Sequence, residues 1–202
     1  MQAKQIEKQD SIQKTIEFHG HWCPGLGIGI RAAQWAAAEM GKSPDEEMVA
    51  VVETDMCGVD AIQFLTGCTF GKGNLIHKDY GKNAFTFYRR SDGYAVRLVL
   101  RPSIYGENGQ LLRDLQHKML ARGLSDEEKQ TFEQTRQEIS QRIMDLDLED
   151  VFEFKEPQGL PPRKARLFNS VTCAGCGESV METRARLLKE QVMCIPCFEA
   201  QE

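Results

Sequence analysis

An α+β core followed by a small metal-stapled C-terminal module is the fold class this sequence predicts, and three observations carry it. Helical and strand-like stretches are interleaved over about 155 residues rather than alternating as regular βαβ units. Gly159-Leu-Pro-Pro162 then breaks the pattern as a linker would. Beyond it, four of the seven cysteines stand as two CxxC pairs in a stretch too poor in large apolar residues to fold on a core of its own. The boundaries implied are 1–156 for the core and 157–202 for the module.

The elements follow in order. Ser11 to Glu17 reads as a short helix leading into Phe18-His19-Gly20-His21-Trp22-Cys23-Pro24-Gly25. The glycines at 25, 27 and 29 open an alanine-rich helix, Ile30 to Met40, closed by Gly41 and suited to close packing. Met48 to Glu53 is a β-branched core strand, and Gly58 to Leu65 a helix ended by Gly67. Gly67 to Gly73 is a glycine-rich loop. Ala84 to Arg90 and Tyr94 to Arg101 are strands joined by the turn Ser91-Asp92-Gly93. Gly109 to Arg122 is a helix with Leu112, Leu115 and Met119 on one stripe. Ser125 to Glu128 is a capping box for the next helix, with Phe132, Ile139, Ile143 and Leu146 at heptad-like spacing. These stripes suit either an intramolecular core or a dimer seam.

Composition excludes several classes. A hydrophobic fraction of 41% supports a real core, so wholesale disorder is excluded. The first fourteen residues are polar and no run approaches a membrane span, which makes a cytoplasmic protein with no membrane association the expectation. A formal net charge of −5 disfavours generic nucleic-acid binding. Residues 157–202 hold six Lys+Arg against five Asp+Glu, and their best basic cluster, Arg163-Lys164-Ala165-Arg166, reads as a solvated linker edge.

The spacing Cys173-x2-Cys176, seventeen residues, Cys194-x2-Cys197 suits a closed tetrahedral Zn²⁺ site, each pair chelating from one tight turn. Gly175 and Gly177 let the backbone fold around the metal. Arg184 and Arg186 are candidates to offset the surplus thiolate charge. The layout is treble-clef-like, with a hairpin across Glu178 to Met193 and Cys197 in a final helical turn. Four protein ligands leave no open position, so this zinc is structural. The run CAGCGESVMETRARLLKEQVMCIPCFEAQE resembles the zinc fingers of the DksA/TraR family of RNA-polymerase-associated regulators.

Reactive side chains also gather in the core. His19, His21 and Cys23 are spaced i, i+2, i+4 and, on an extended stretch, would project to one side. Cys23 precedes a helix N-terminus, whose partial positive charge favours a thiolate. Cys57 stands at the next strand-to-helix transition, near Asp60, and Cys68 lies in the glycine-rich loop. The expectation is one His/Cys site, with His19, His21, Cys23 and Cys57 as ligands of a second transition metal and Asp60 orienting a ligand. His19, Cys68 and Lys72 are the candidate catalytic groups, Lys72 as an anion contact. His77 and His117 read as surface residues. Gly71-Lys72-Gly73 fails as a phosphate loop, having Thr66 and Gly73 where glycine and Ser/Thr are required.

FHGHWCPGLGIGIRAA (18–33), DMCGVDAIQFLTGCTFGKGNL (55–75) and DYGKNAFTFY (79–88) together resemble the FmdE family, named for a component of molybdenum or tungsten formylmethanofuran dehydrogenase. The resemblance implies an α+β core, in some members with a C-terminal zinc finger, and intertwined dimers. The positions matching its motifs are His19, His21, Cys23, Cys57, Asp60, Cys68, Lys72, Asn74, Tyr80 and Lys82. It implies an accessory or enzyme-like component of one-carbon or metal-cofactor metabolism, since in the namesake enzyme the redox chemistry belongs to a different, pterin-bearing polypeptide. A homodimer, protein partners in a larger complex and a small-molecule ligand are the partners expected. The alternative is a regulator or interaction module that senses a metal or metabolite and contacts protein or nucleic acid through the finger.

Overall fold

The computed structural model describes residues 2–41 and 47–201, with side chains from residue 9 onward. The chain divides into two compact units, residues 1–164 and 165–202.

The first unit is a five-stranded sheet in the order β2-β1-β3-β4-β5, with one face buried under helices. The strands are β1 (Met48–Val52), β2 (Leu75–His77), β3 (Ala84–Arg89), β4 (Ala95–Leu100) and β5 (Phe152–Lys155). Only β1 and β2 run parallel; the other pairs are antiparallel. Period-2 alternation sends Met48, Ala50, Val52, Phe85, Phe87, Leu98 and Phe152 into the main core, against Ile28, Ala32, Ala36, Ile139 and Ile143. Val49, Val51 and Tyr88 form a smaller buried cluster on the opposite face. The short strands β2 and β5 are not legible in the sequence: three residues carry too little pattern to read, and β5 follows a one-turn helix, Leu148–Val151, without a turn residue between them.

Helix α1 (Gln2–His19) begins earlier than its apolar pattern suggests and stops at Gly20, whose φ of +94° only glycine adopts at low cost. Helix α2 (Pro24–Met40) starts well before Ile30, with Pro24 at its first position and Cys23 as N-cap. Its glycines therefore lie inside the helix, where each costs about 1 kcal/mol relative to alanine. Tertiary packing overrides that cost. A Cβ on Gly29 would collide with the backbone of Gly58, so glycine lets α2 and α3 (Gly58–Thr66) touch backbone to backbone.

Helices α4 (Asn108–Arg122) and α5 (Asp126–Asp145) complete the helical layer. The Ser125–Glu128 capping box is formed in both directions. Arg31 closes the other end of α5 by donating to the carbonyls of Met144 and Leu146. On α4, Leu112 and Leu115 are buried while Met119 is exposed, so the expected stripe is apolar core over only part of its length. Segment 157–164, which the sequence assigns to the start of the second domain, is tied to the first unit. Arg90 Nη1 donates to Pro162 O at 2.7 Å, and Lys164 lies 3.4 Å from Glu47.

The second unit has two hairpins, β6 (Ser170–Thr172) with β7 (Ser179–Met181) and β8 (Arg186–Leu188) with β9 (Gln191–Met193), then the short helix α7 (Ile195–Glu199). The sequence suggests one hairpin across Glu178 to Met193. That hairpin is β8–β9, while β7, at the start of the stretch, pairs backwards across the first CxxC turn, where Gly177, at φ +76°, reverses the chain.

Candidate metal centre

His19 is the last residue of α1. Gly20 then turns the chain, and Cys23 is extended (φ −156°) as it caps α2. The 19–23 segment is therefore a helix end followed by a turn and not the extended stretch expected. Its side chains still converge, because the Gly20 turn redirects the chain. Cys57 arrives from a distant stretch as the N-cap of α3. It is held near Cys23 by the close crossing of α2 and α3: a Cβ on Gly25 would lie 2.9 Å from Met56 Cε and 3.3 Å from Cys57 Cβ. One donor atom each from His19, His21, Cys23 and Cys57 falls within 4.8 Å of the others.

The surroundings of these four favour a metal. Asp60 Oδ2 lies 2.7 Å from His19 Nδ1, which leaves Nε2 as the free nitrogen. Nε2 is buried and makes no hydrogen bond among the described residues. An imidazole oriented by a carboxylate with its other nitrogen aimed at soft ligands is the arrangement metal-binding histidines adopt. The His19 and His21 rings stand 4.5 Å apart, His21 at the exposed side. Cys23 is buried and its Sγ accepts from Leu26 N at 3.3 Å, a helix-start amide that stabilises negative sulfur. Burial pushes the Cys57 thiol up, and the neighbouring Cys23 adds to that. A soft cation bound between the two sulfurs would supply the charge that favours the Cys57 thiolate over the thiol. The donor set fits a transition metal.

Cys68 and Lys72 are not part of this cluster. Cys68 is fully buried against β1, its Sγ 3.4 Å from Met48 O, and burial pushes its thiol up. Asn74, also fully buried, accepts from Thr69 N and donates to Met48 O, fastening the glycine-rich loop to the sheet. Lys72 stands half-buried in that loop. His77 and His117 are exposed.

In the second unit, Cys173, Cys176, Cys194 and Cys197 likewise bring their sulfurs within 4.8 Å. Cys173 Sγ accepts from Cys194 N at 3.2 Å, and backbone amides hold its thiol down to about 6. Cys197, crowded by the other three sulfurs, is pushed up to about 12. A Cβ on Gly175 would come within 3.0 Å of Cys197 Cβ. Arg184 and Arg186 donate to the carbonyls of Thr183 and Ala185, so the sulfurs take their hydrogen bonds from backbone amides instead. The four-cysteine cluster is consistent with structural zinc.

Fold and clusters define a two-unit, metal-binding α+β protein. Comparison with known proteins makes this specific. Residues 18–153 match the family described as "FmdE, Molybdenum formylmethanofuran dehydrogenase operon", and residues 166–202 match the prokaryotic dksA/traR C4-type zinc finger. The chain belongs to the FmdE family and carries this zinc finger at its C-terminus. A crystal structure of a tungsten formylmethanofuran dehydrogenase FmdE-like protein from Syntrophus aciditrophicus is similar, with a TM-score of 0.62 and 26% identity, covering 96% of this chain and 92% of that one. A probable S-adenosyl-L-methionine-binding protein of Archaeoglobus fulgidus is 31% identical over 195 residues, 92% of this chain; the chain spans about half (52%) of that relative's length. No described helix is long and apolar enough to cross a membrane.

Proposed function

We propose that the core carries a transition-metal centre and that the protein serves as an accessory or enzyme-like component of one-carbon or metal-cofactor metabolism, with the C-terminal zinc purely structural. The observation that supports this best is His19, whose Nδ1 is taken by Asp60 and whose buried Nε2, beside His21, Cys23 and Cys57, has no hydrogen-bond partner among the described residues. His19 Nε2, one nitrogen of His21 and the sulfurs of Cys23 and Cys57 would hold the metal. A metal so held supplies Lewis-acid or one-electron chemistry, the choice depending on its identity. The chain's own part is to keep His19 in one tautomer through Asp60, to fix the Cys23 sulfur through the Leu26 amide, and to leave His21 at the solvent edge. In this reading the protein is a cytoplasmic homodimer open to protein partners and a small-molecule ligand, and light scattering on the purified chain checks the dimer.

The test is metal content by inductively coupled plasma mass spectrometry on anaerobically purified protein. We expect about two metals per chain in wild type and about one in Cys57→Ala, with the survivor lost on Cys173→Ser/Cys176→Ser. Asp60→Asn should keep the stoichiometry at saturation while weakening core affinity about 10–100-fold. One metal per chain in wild type, unchanged by Cys57→Ala, sinks the reading.

The 31% identity to the Archaeoglobus fulgidus protein favours a second reading, that the shared part binds S-adenosylmethionine as a sensor or regulator. Equilibrium dialysis with S-adenosylmethionine decides it, and no retention at millimolar ligand removes it.

A further inference from the structure

The sheet face turned away from the helices is not bare. Across it the register aligns Val51, Thr86, Arg97 and Lys155 in one row, with Ile76 beside Val51. Beyond β5, residues 156–164 return toward this face, tied by Arg90 to Pro162. Between the segment's first residues, Glu156 to Gln158, and the sheet lies a cavity of about 420 Å³. That is within the range of small-molecule sites, about 300–1,000 Å³. It shares no lining residue with the His/Cys cluster.

Its chemistry is specific. At the floor, Glu53, only 7% exposed, receives both Nε and Nη2 of Arg97, at 2.7 and 2.8 Å. This bidentate pair is self-neutralising and rigid. Two hydroxyls stand beside it. Thr86 is 4% exposed and Tyr88 7%, and neither side chain makes a hydrogen bond among the described residues. Neither hydroxyl oxygen is among the fully buried unpaired polar atoms, so both open onto the cavity, free to bind what enters it. Burial and the Glu53 carboxylate both push the Tyr88 phenol up, which keeps it a hydrogen-bond donor at neutral pH.

The charge balance sets the sign of the occupant. The lining holds Lys78, Lys82, Arg97 and Lys155 against Glu53 and Glu156. Arg97 is spent on Glu53, and Lys155 lies 3.0 Å from Glu153. Lys78 and Lys82 make no ion pair within 4.0 Å among the described residues, though both act on the Glu53 carboxylate. Lys78 stands 5.9 Å over the Tyr80 ring, so an aromatic wall flanks the cations. Among the described residues, two ammonium groups without an ion pair and two hydroxyls without a hydrogen bond line the cavity, whose acidic side chains are Glu53, paired with Arg97, and Glu156.

We propose that this cavity is a binding site for a small organic anion, with Lys78 and Lys82 taking its carboxylate or phosphate and the Thr86 and Tyr88 hydroxyls completing the contact. Neither family match covers segment 154–165, which supplies one wall. The site is independent of the metal centre, so either can fail without the other.

The test is isothermal titration calorimetry on the full chain with three probes: inorganic phosphate, glycerol 3-phosphate and succinate. Saturable binding with a Kd of about 1 mM or tighter is expected for at least one, and comparing succinate with the phosphates tells carboxylate from phosphate recognition. Lys82→Gln, exposed and therefore safe for folding, and Tyr88→Phe should each weaken it about tenfold. Lys129→Gln, an exposed control on α5, should not. S-adenosylmethionine, a net cation, serves as the opposite probe. The proposal is overturned if no anion saturates up to about 20 mM, if Lys82→Gln binds as tightly as wild type, or if S-adenosylmethionine saturates where the anions do not.

Discussion

The two soft-ligand clusters use similar chemistry on opposite kinds of support. The core cluster sits where α1, α2 and α3 meet, over a continuous core that includes Leu26, Ile30 and Ala61. Its ligand positions are set by helix ends and by a backbone-to-backbone helix crossing. In the C-terminal unit, Cys173 and Met193 are the only buried hydrophobic residues among those described, while Leu167 and Leu187 are exposed. Little besides the four sulfurs can hold that unit together. A metal in the finger is therefore part of folding, whereas a metal in the core would be a guest on a scaffold that stands without it.

The sharpest way to break the comparison is chelation. Structural zinc contributes on the order of 10 kcal/mol to folding a module of this size. Removing metal, or making Cys176→Ser, should abolish the finger's ordered amide resonances and open residues 165–202 to proteolysis. The core's thermal transition should hardly move. A core that melts with the finger would erase the distinction.

A second variant strikes the scaffold instead. Gly29→Ala drives a methyl into the Gly58 backbone, which cannot yield as a side-chain tip would. Overpacking of this kind costs about 3 kcal/mol. Denaturant unfolding should show that loss in the core alone, together with weaker core metal binding, since the α2–α3 crossing also spaces Cys23 from Cys57. Unchanged core stability would mean that this crossing does not support the site.

The smallest effect is a pH dependence confined to the core. The Arg97 guanidinium holds the Glu53 carboxyl below its ordinary 4.5, so the native state binds the proton less readily than the unfolded chain. The resulting stabilisation is complete above that value and is lost as pH falls through the depressed one. The stability gap between wild type and Glu53→Gln/Arg97→Met should therefore be constant near neutrality and shrink only below about pH 4.5. A gap that changes between pH 6 and 8 would implicate another group.

By itself the sequence determined the local features: the CxxC spacing, the capping box, the Ser91-Asp92-Gly93 turn, the β-branched strand at 48–52, and the family motifs containing His19, His21, Cys23, Cys57 and Asp60. Each is written in neighbouring residues, where spacing and turn chemistry act over a few positions. The tertiary structure decided what depends on distant partners. It moved the start of α2 to Pro24, because a close crossing with Gly58 outweighs the helix-breaking tendency of three glycines. It left Cys68 outside the ligand cluster, turned against Met48, and made the glycine-rich loop a brace through Asn74. It also assembled Glu53, Thr86, Tyr88 and Arg97 around one cavity. Thr86 and Tyr88 stand on β3, Arg97 on β4 and Glu53 just past the end of β1, so they meet only because of the sheet register, and no local pattern encodes which strand lies beside which.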